Sequence, residues 1–114
     1  MILSKLIGYL GDELDVYVGV RAPEATTGYV LLDQTGSANA NHIMTTTIAV
    51  QSYGETLDDA ITLAESVKAA MMGFVNDPDV SAVRLESDYN FTNTETKQYR
   101  WQSVFEITHY LGGI

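Results

Sequence analysis

The chain has 114 residues, 46% of them hydrophobic, and no cysteine, so it reads as one domain and excludes disulfides, thiolate metal sites, Fe–S clusters and a cysteine nucleophile. Fifteen acidic against six basic side chains leave a formal net charge of -9, which argues against a surface that grips nucleic acid by counterion release. With 18% charged residues and a mean hydropathy of -0.01, the composition is that of a folded domain, not a disordered one.

The apolar N-terminus is too short to span a bilayer and lacks a signal-peptide cleavage site, so a soluble, unexported protein with no membrane partner is expected. Ile2, Leu3, Leu6, Ile7 and Leu10 recur at helical intervals and predict a short amphipathic helix ending near Gly11. Leu14, Val16, Val18 and Val20 then alternate with Asp15, Tyr17, Gly19 and Arg21, as in a half-buried strand, and Ala22-Pro23-Glu24 closes it. Tyr29 to Asp33 reads as a second strand. The small and polar run from Gln34 to His42 offers no residues for a buried face and predicts a long flexible loop. Ile43 to Tyr53, rich in threonine and β-branched residues, predicts the third strand and makes a long-tipped hairpin with the second.

Thr56 caps the next helix, with Asp58 and Asp59 beside the positive end of its dipole. Leu57, Ala60, Ile61, Ala64, Val67, Met71 and Phe74 form one apolar stripe, up to Gly73 or the Asn76-Asp77-Pro78-Asp79 turn. Two alternating runs follow. Val83, Leu85, Ser87, Tyr89 and Phe91 share one face, then Tyr99, Trp101, Ser103, Phe105 and Ile107 another, with the polar tip 92–97 between them as an antiparallel hairpin. Tyr99, Trp101 and Phe105 are expected to pack on the long-helix stripe. The fold class is α+β: a single domain, 1–114, with a mixed, largely antiparallel sheet in the order α-β-β-β-α-β-β, one long helix on a face and a short N-terminal helix.

Catalytic signatures are sparse. His42 and His109 have no neighbouring nucleophile motif and read as surface histidines, and no HxH or HExxH occurs. Asn76-Asp77-Pro78-Asp79 lacks the calcium-loop pattern, and Gly8, Gly11 and Gly36 lack the spacing of a phosphate loop. Asp58 and Asp59 have a role at a helix N-terminus, while Asp12 and Glu13 lie in a turn. The residues therefore assign no catalyst, cofactor or metal. Met72 lies off the main helical stripe and is a candidate contact to a neighbouring subunit.

Four segments together resemble the tail terminator proteins of long-tailed bacteriophages, also called tail completion or head-to-tail joining proteins. They are the short first helix, GYVLLDQTG, TTTIAVQSYGETLDDAITLAESVKAAM and YNFTNTETKQYRWQSVFEITHY. The resemblance covers nearly the whole chain, with matching positions at Tyr29 to Gly36, Ile48 to Tyr53, 57–72, and Tyr99 to Phe105. The contacts of the first helix and of Leu111-Gly112-Gly113-Ile114 match no motif of that family. The resemblance implies a non-enzymatic virion protein without cofactor, assembled in the bacterial host cytoplasm as a homo-oligomeric ring, a hexamer. The ring would cap the head-proximal end of the tail tube, with the tail tube protein and a head completion or connector protein as partners. DNA would pass through its lumen without stable binding. Asp33, Gly36, Asn39 and Asn41 on the long loop, Glu95 on the second hairpin tip, and Met72 are the candidate assembly contacts, with Asp33 and Glu95 as candidate lumen-facing acids. Two rivals stand beside this reading: a small α+β enzyme or ligand-binding module of the dimeric ferredoxin-like kind, and a tail tube or other neck subunit.

Overall fold

The computed structural model describes residues 2–24 and 28–110; the unmatched C-terminal residues 111–114 lie outside them. Helix α1 (Ile2–Leu14) buries Ile2, Leu6 and Leu10, as its periodicity predicts. It does not stop at Gly11. Asp15, in the left-handed region at φ 55°, ends it by donating its N–H to the Gly11 carbonyl at 3.3 Å. Each helical glycine costs only about 1 kcal/mol, which the buried apolar stripe outweighs. The longer helix takes Leu14 from the following strand, so β1 is only Tyr17–Gly19, and Val20 is 56% exposed.

Strands β2 (Tyr29–Ala40) and β3 (Ile43–Gly54) form one antiparallel hairpin, which corrects the expected loop at 34–42. Its turn is Asn41 and His42, both left-handed at φ 52° and 65°, the conformation a two-residue hairpin loop requires and one that asparagine tolerates. The small residues Gly36, Ala38 and Ala40 bury nothing, but they need not: their strand is held by backbone pairing to β3. β3 pairs with β5 (Tyr99–Tyr110) along its whole length, and β5 pairs with β4 (Val80–Asn90). The sheet order is β1-β2-β3-β5-β4, with β1 parallel to β2 and every other pair antiparallel. The fold is thus α+β in the predicted element order.

Both helices lie on one face of the sheet. Thr56 accepts a hydrogen bond from the Asp59 N–H at 3.1 Å, and α2 (Leu57–Gly73) buries Ala60, Ala64, Val67 and Met71 before a 3-10 turn at Phe74–Asn76. Val30, Leu32, Ile48, Val50, Phe105 and Ile107 supply the sheet's side of the core. Two polar ties join α1 to α2 and to the turn that precedes β4. Tyr9 donates to the Ala70 carbonyl at 2.7 Å, and Lys5 bridges Asp77 at 2.9 Å and Asp79 at 2.6 Å. The Asp79 N–H and Lys5 together hold the Asp77 carboxyl below the usual carboxylate range.

Two side-chain expectations change. A bulge between Leu85 and Ser87 reverses the alternation of β4, so Asp88 points to the helix face and Tyr89 to the other. Trp101 is half-buried at the margin of the apolar core, with its indole N–H donated to Asp88 at 2.6 Å. Among the described residues, no helix is long and apolar enough to cross a membrane.

Gly54 sits where β3 turns under α2, and a Cβ there would meet the Ala60 backbone nitrogen at 2.5 Å, so Gly54→Ala should cost about 1–3 kcal/mol. Gly8 has nothing within 4 Å of such a Cβ, so Gly8→Ala should stabilise by about 0.5–1 kcal/mol. Urea denaturation midpoints of the two variants moving in opposite directions is the expected result.

Candidate functional site

Among the described residues no helix covers the second face of the sheet, and there polar and aromatic side chains form a connected layer that shields part of it themselves. Arg100 on β5 places its guanidinium 4.4 Å from the Phe91 ring centroid and 5.9 Å from that of Tyr53. It donates from Nε to the Phe91 carbonyl at 2.6 Å and from Nη1 to the Tyr53 hydroxyl at 3.2 Å. Tyr53 donates to Gln51 Oε1 at 2.8 Å, Gln51 donates to Gln102 Oε1 at 2.8 Å, and Gln102 donates to the Tyr89 hydroxyl. Every link runs donor to acceptor in one direction across β5, β3 and β4, which fixes both amide orientations.

Tyr29 stacks on Tyr53 with centroids 4.5 Å apart, and burial raises its hydroxyl pKa, as does Tyr53 beside it. The two rings, with Gly54, Glu55, Thr96, Lys97 and Gln98, line an open groove at one end of the sheet. Asn93 shapes the adjoining tip by accepting the Glu95 and Thr96 N–H groups at 3.1 and 3.4 Å.

The sequence-selected residues are dispersed. Asp33 is exposed and pairs with Ala49 on the bare face, where Gly36 also lies, opposite Thr47. Asn39 and Asn41 sit at the far end of the β2–β3 arm, and Glu95 lies on the β4–β5 tip near the groove, at the opposite end of the strands. Met72 is 45% exposed on α2. The structure therefore brings Asp33 and Gly36 to one strand but does not gather all six residues into one site. Sequence reasoning missed the layer formed by Gln51, Tyr53, Tyr89, Arg100 and Gln102. Its signal was the glutamine and arginine at alternating positions of β5, opposite Trp101, Ser103 and Phe105.

Two acidic centres support the structure instead of forming reactive sites. Burial pushes the Asp88 carboxyl up, but hydrogen bonds from Lys68 at 2.8 Å, Trp101 at 2.6 Å and Ser103 at 2.8 Å outweigh it and hold the group below its ordinary value. Asp77 and Asp79 are committed to Lys5. Among the described residues, no group of three or more His, Asp or Glu could hold a metal ion.

His109 is not a surface residue: it is 1% exposed on the helix face, where its Nε2 shares a hydrogen bond with Thr46 Oγ1 at 2.9 Å. Burial pushes its pKa below 6.5, with the Tyr110 backbone and the Asp79 carboxylate acting the other way. The unfolded chain therefore binds a proton that the folded chain resists. Stability is complete above the unfolded value of 6.5 and declines as pH falls below it. Urea midpoints should drop between about pH 7.5 and about pH 5.5, and His109→Gln should flatten most of that drop even if it lowers stability overall.

No protein-family model matches the chain, and no curated protein matches it significantly.

Proposed function

We propose that this chain is a structural virion subunit of a long-tailed bacteriophage, a tail terminator that forms a ring, caps the head-proximal end of the tail tube and joins tail to head. One observation carries the reading. The segments that resemble the family build a sheet with one face sealed by helices, one face that no described helix covers and an outer strand, β2, whose edge is unpaired from Leu32 to Ala40 among the described residues, an architecture that offers surfaces for assembly. The arm tip at Asn39 and Asn41 and the tip at Glu95 lie at opposite ends of a molecule 44 Å long, so one ring can present distinct groups to the tube and to the head connector. A net charge of -9 suits a conduit, because fixed carboxylates repel passing phosphates and hold no duplex.

The tyrosine groove beside Gln98 is where a small enzyme or ligand-binding module would seat its ligand. The ferredoxin-like version would be built on a β-α-β-β-α-β repeat, whereas this chain runs through β1, β2 and β3 before α2, with β1 and β2 as parallel neighbours. Electron microscopy and native mass measurement of the purified chain should give discrete rings with a central hole. Continuous tubes would assign it to the tail tube, and compact dimers carrying a small molecule would assign it to the ligand-binding class.

A further inference from the structure

β1 pairs with β2 only as far as Leu31, so from Leu32 to Ala40 the outer edge of β2 has no strand beside it among the described residues. β4 forms the opposite edge of the same sheet and has no strand on its outer side among the described residues, though Arg84, Glu86, Asp88 and two bulges make it the more guarded of the two edges. Unpaired edges are templates for another strand, and proteins usually guard them with charges or prolines. From Gln34 to Ala40, β2 has neither.

The two edges fit each other. β2, β3, β5 and β4 alternate in direction, so β4 runs opposite to β2. A second copy placed alongside in the same orientation therefore meets β4 with β2 in antiparallel sense. The free lengths also stand at one height. Through the sheet register, Ala38 and Ala82 are both level with Thr45, and Leu32 and Asp88 are both level with Val50. A cyclic ring, which has no net rise along its axis, needs the two free lengths to overlap with at most the stagger that strand tilt sets, and this match leaves room for it. Arg84, level with Thr47 and paired with Glu86 and Glu106 of its own copy, is 69% exposed and stands one same-face pair from Asp33, level with Ala49, so it can add Asp33 to its partners by diagonal reach across the joint. The β-bulges in β2 and β4 supply the curvature that closure of a sheet requires.

We infer that copies of this chain join edge to edge, β4 of one against the Leu32 to Ala40 edge of β2 in the next, making one continuous antiparallel sheet around the ring. The occupant of each edge is a second copy, because each copy carries both halves of the joint. This inference rests on the ring reading and specifies its interface.

The chain contains no cysteine, so introduced thiols report contacts without background. The full-length double variant Ala38→Cys with Ala82→Cys, and a second pair with Ser87→Cys in place of Ala82→Cys, would be treated with a short bis-maleimide and resolved by denaturing electrophoresis. At least one pair should give a covalent ladder up to the closed ring, and each single-cysteine chain should give less than about a tenth of that product. Asp33→Arg and Arg84→Asp should each raise the concentration needed for assembly several-fold, and the double swap should restore it. Rings in micrographs with no ladder from either pair, and no rescue by the charge swap, would leave the ring reading standing and overturn this interface. Dimers from Ala38→Cys alone would show β2 pairing with β2 and overturn it as well. Continuous tubes, or compact dimers carrying a small molecule, overturn both.

Discussion

β3 and β5 pair from Ile43 opposite Tyr110 to Gly54 opposite Tyr99, and this one register determines what each face of the sheet can be. Ile48 lies beside Phe105 and Thr46 beside Ile107 on the side that α1 and α2 seal, while Gln51 lies beside Gln102 on the bare side. Because side chains alternate with period two, a slip of β5 by one residue against β3 would put Gln102 under the helices, part it from Gln51 and expose Phe105. The apolar core and the amide layer therefore specify the same register from opposite faces. β3 and β5, at the centre, carry β2 and β4 outward as flanks whose own side chains are less constrained.

That difference explains which parts of the fold were legible in the sequence. α2, β3 and β5 were read with nearly correct bounds because their buried stripes are long and periodic, as at Ala60, Ala64, Val67 and Met71. The β2–β3 hairpin was legible too, but the outer half of β2, 34–40, was not, because backbone pairing holds it and backbone pairing leaves no hydrophobic pattern. Asn41-His42 carried the turn signal, but without the usual glycine it read as loop. The reversal of β4 was hidden for a related reason. A bulge inserts one residue without changing composition, so Tyr89 looked like core and Asp88 like solvent until Lys68 and Trp101 were found on Asp88. At the candidate site, each residue type was visible, but the cross-strand contacts that connect Gln51 to Gln102 depend on register, which a single strand's pattern does not contain.

Charge is distributed by the same economy. Lys5 holds two aspartates, Lys68 holds Glu65 and Asp88, and Arg84 holds Glu86 and Glu106. Arg100 faces aromatic rings and a phenol and has no carboxylate within ion-pair distance among the described residues. Much of the small basic complement is thus committed to internal ties, and those pairs are mostly solvent-accessible, so they serve geometry more than stability. The acids left over set an outward negative field.

In the proposed ring, the bulk of α1 and α2 on one face leaves the bare face as the concave side of the closed sheet. Its chemistry then bears on what can pass. Its amides, phenols and guanidinium are linked in a single chain from Arg100 to Tyr89, which turns them toward one another along the face of the sheet. Arg100, the base most able to grip a backbone by a bidentate contact, is held over Phe91 with Nε committed to a carbonyl. A wall of linked dipoles, whose carboxylates Asp33 and Glu106 stand beside Arg84, would offer a duplex no concentrated positive charge to hold it. A conduit needs that property, since a surface that bound DNA well would have to release it at each base-pair step.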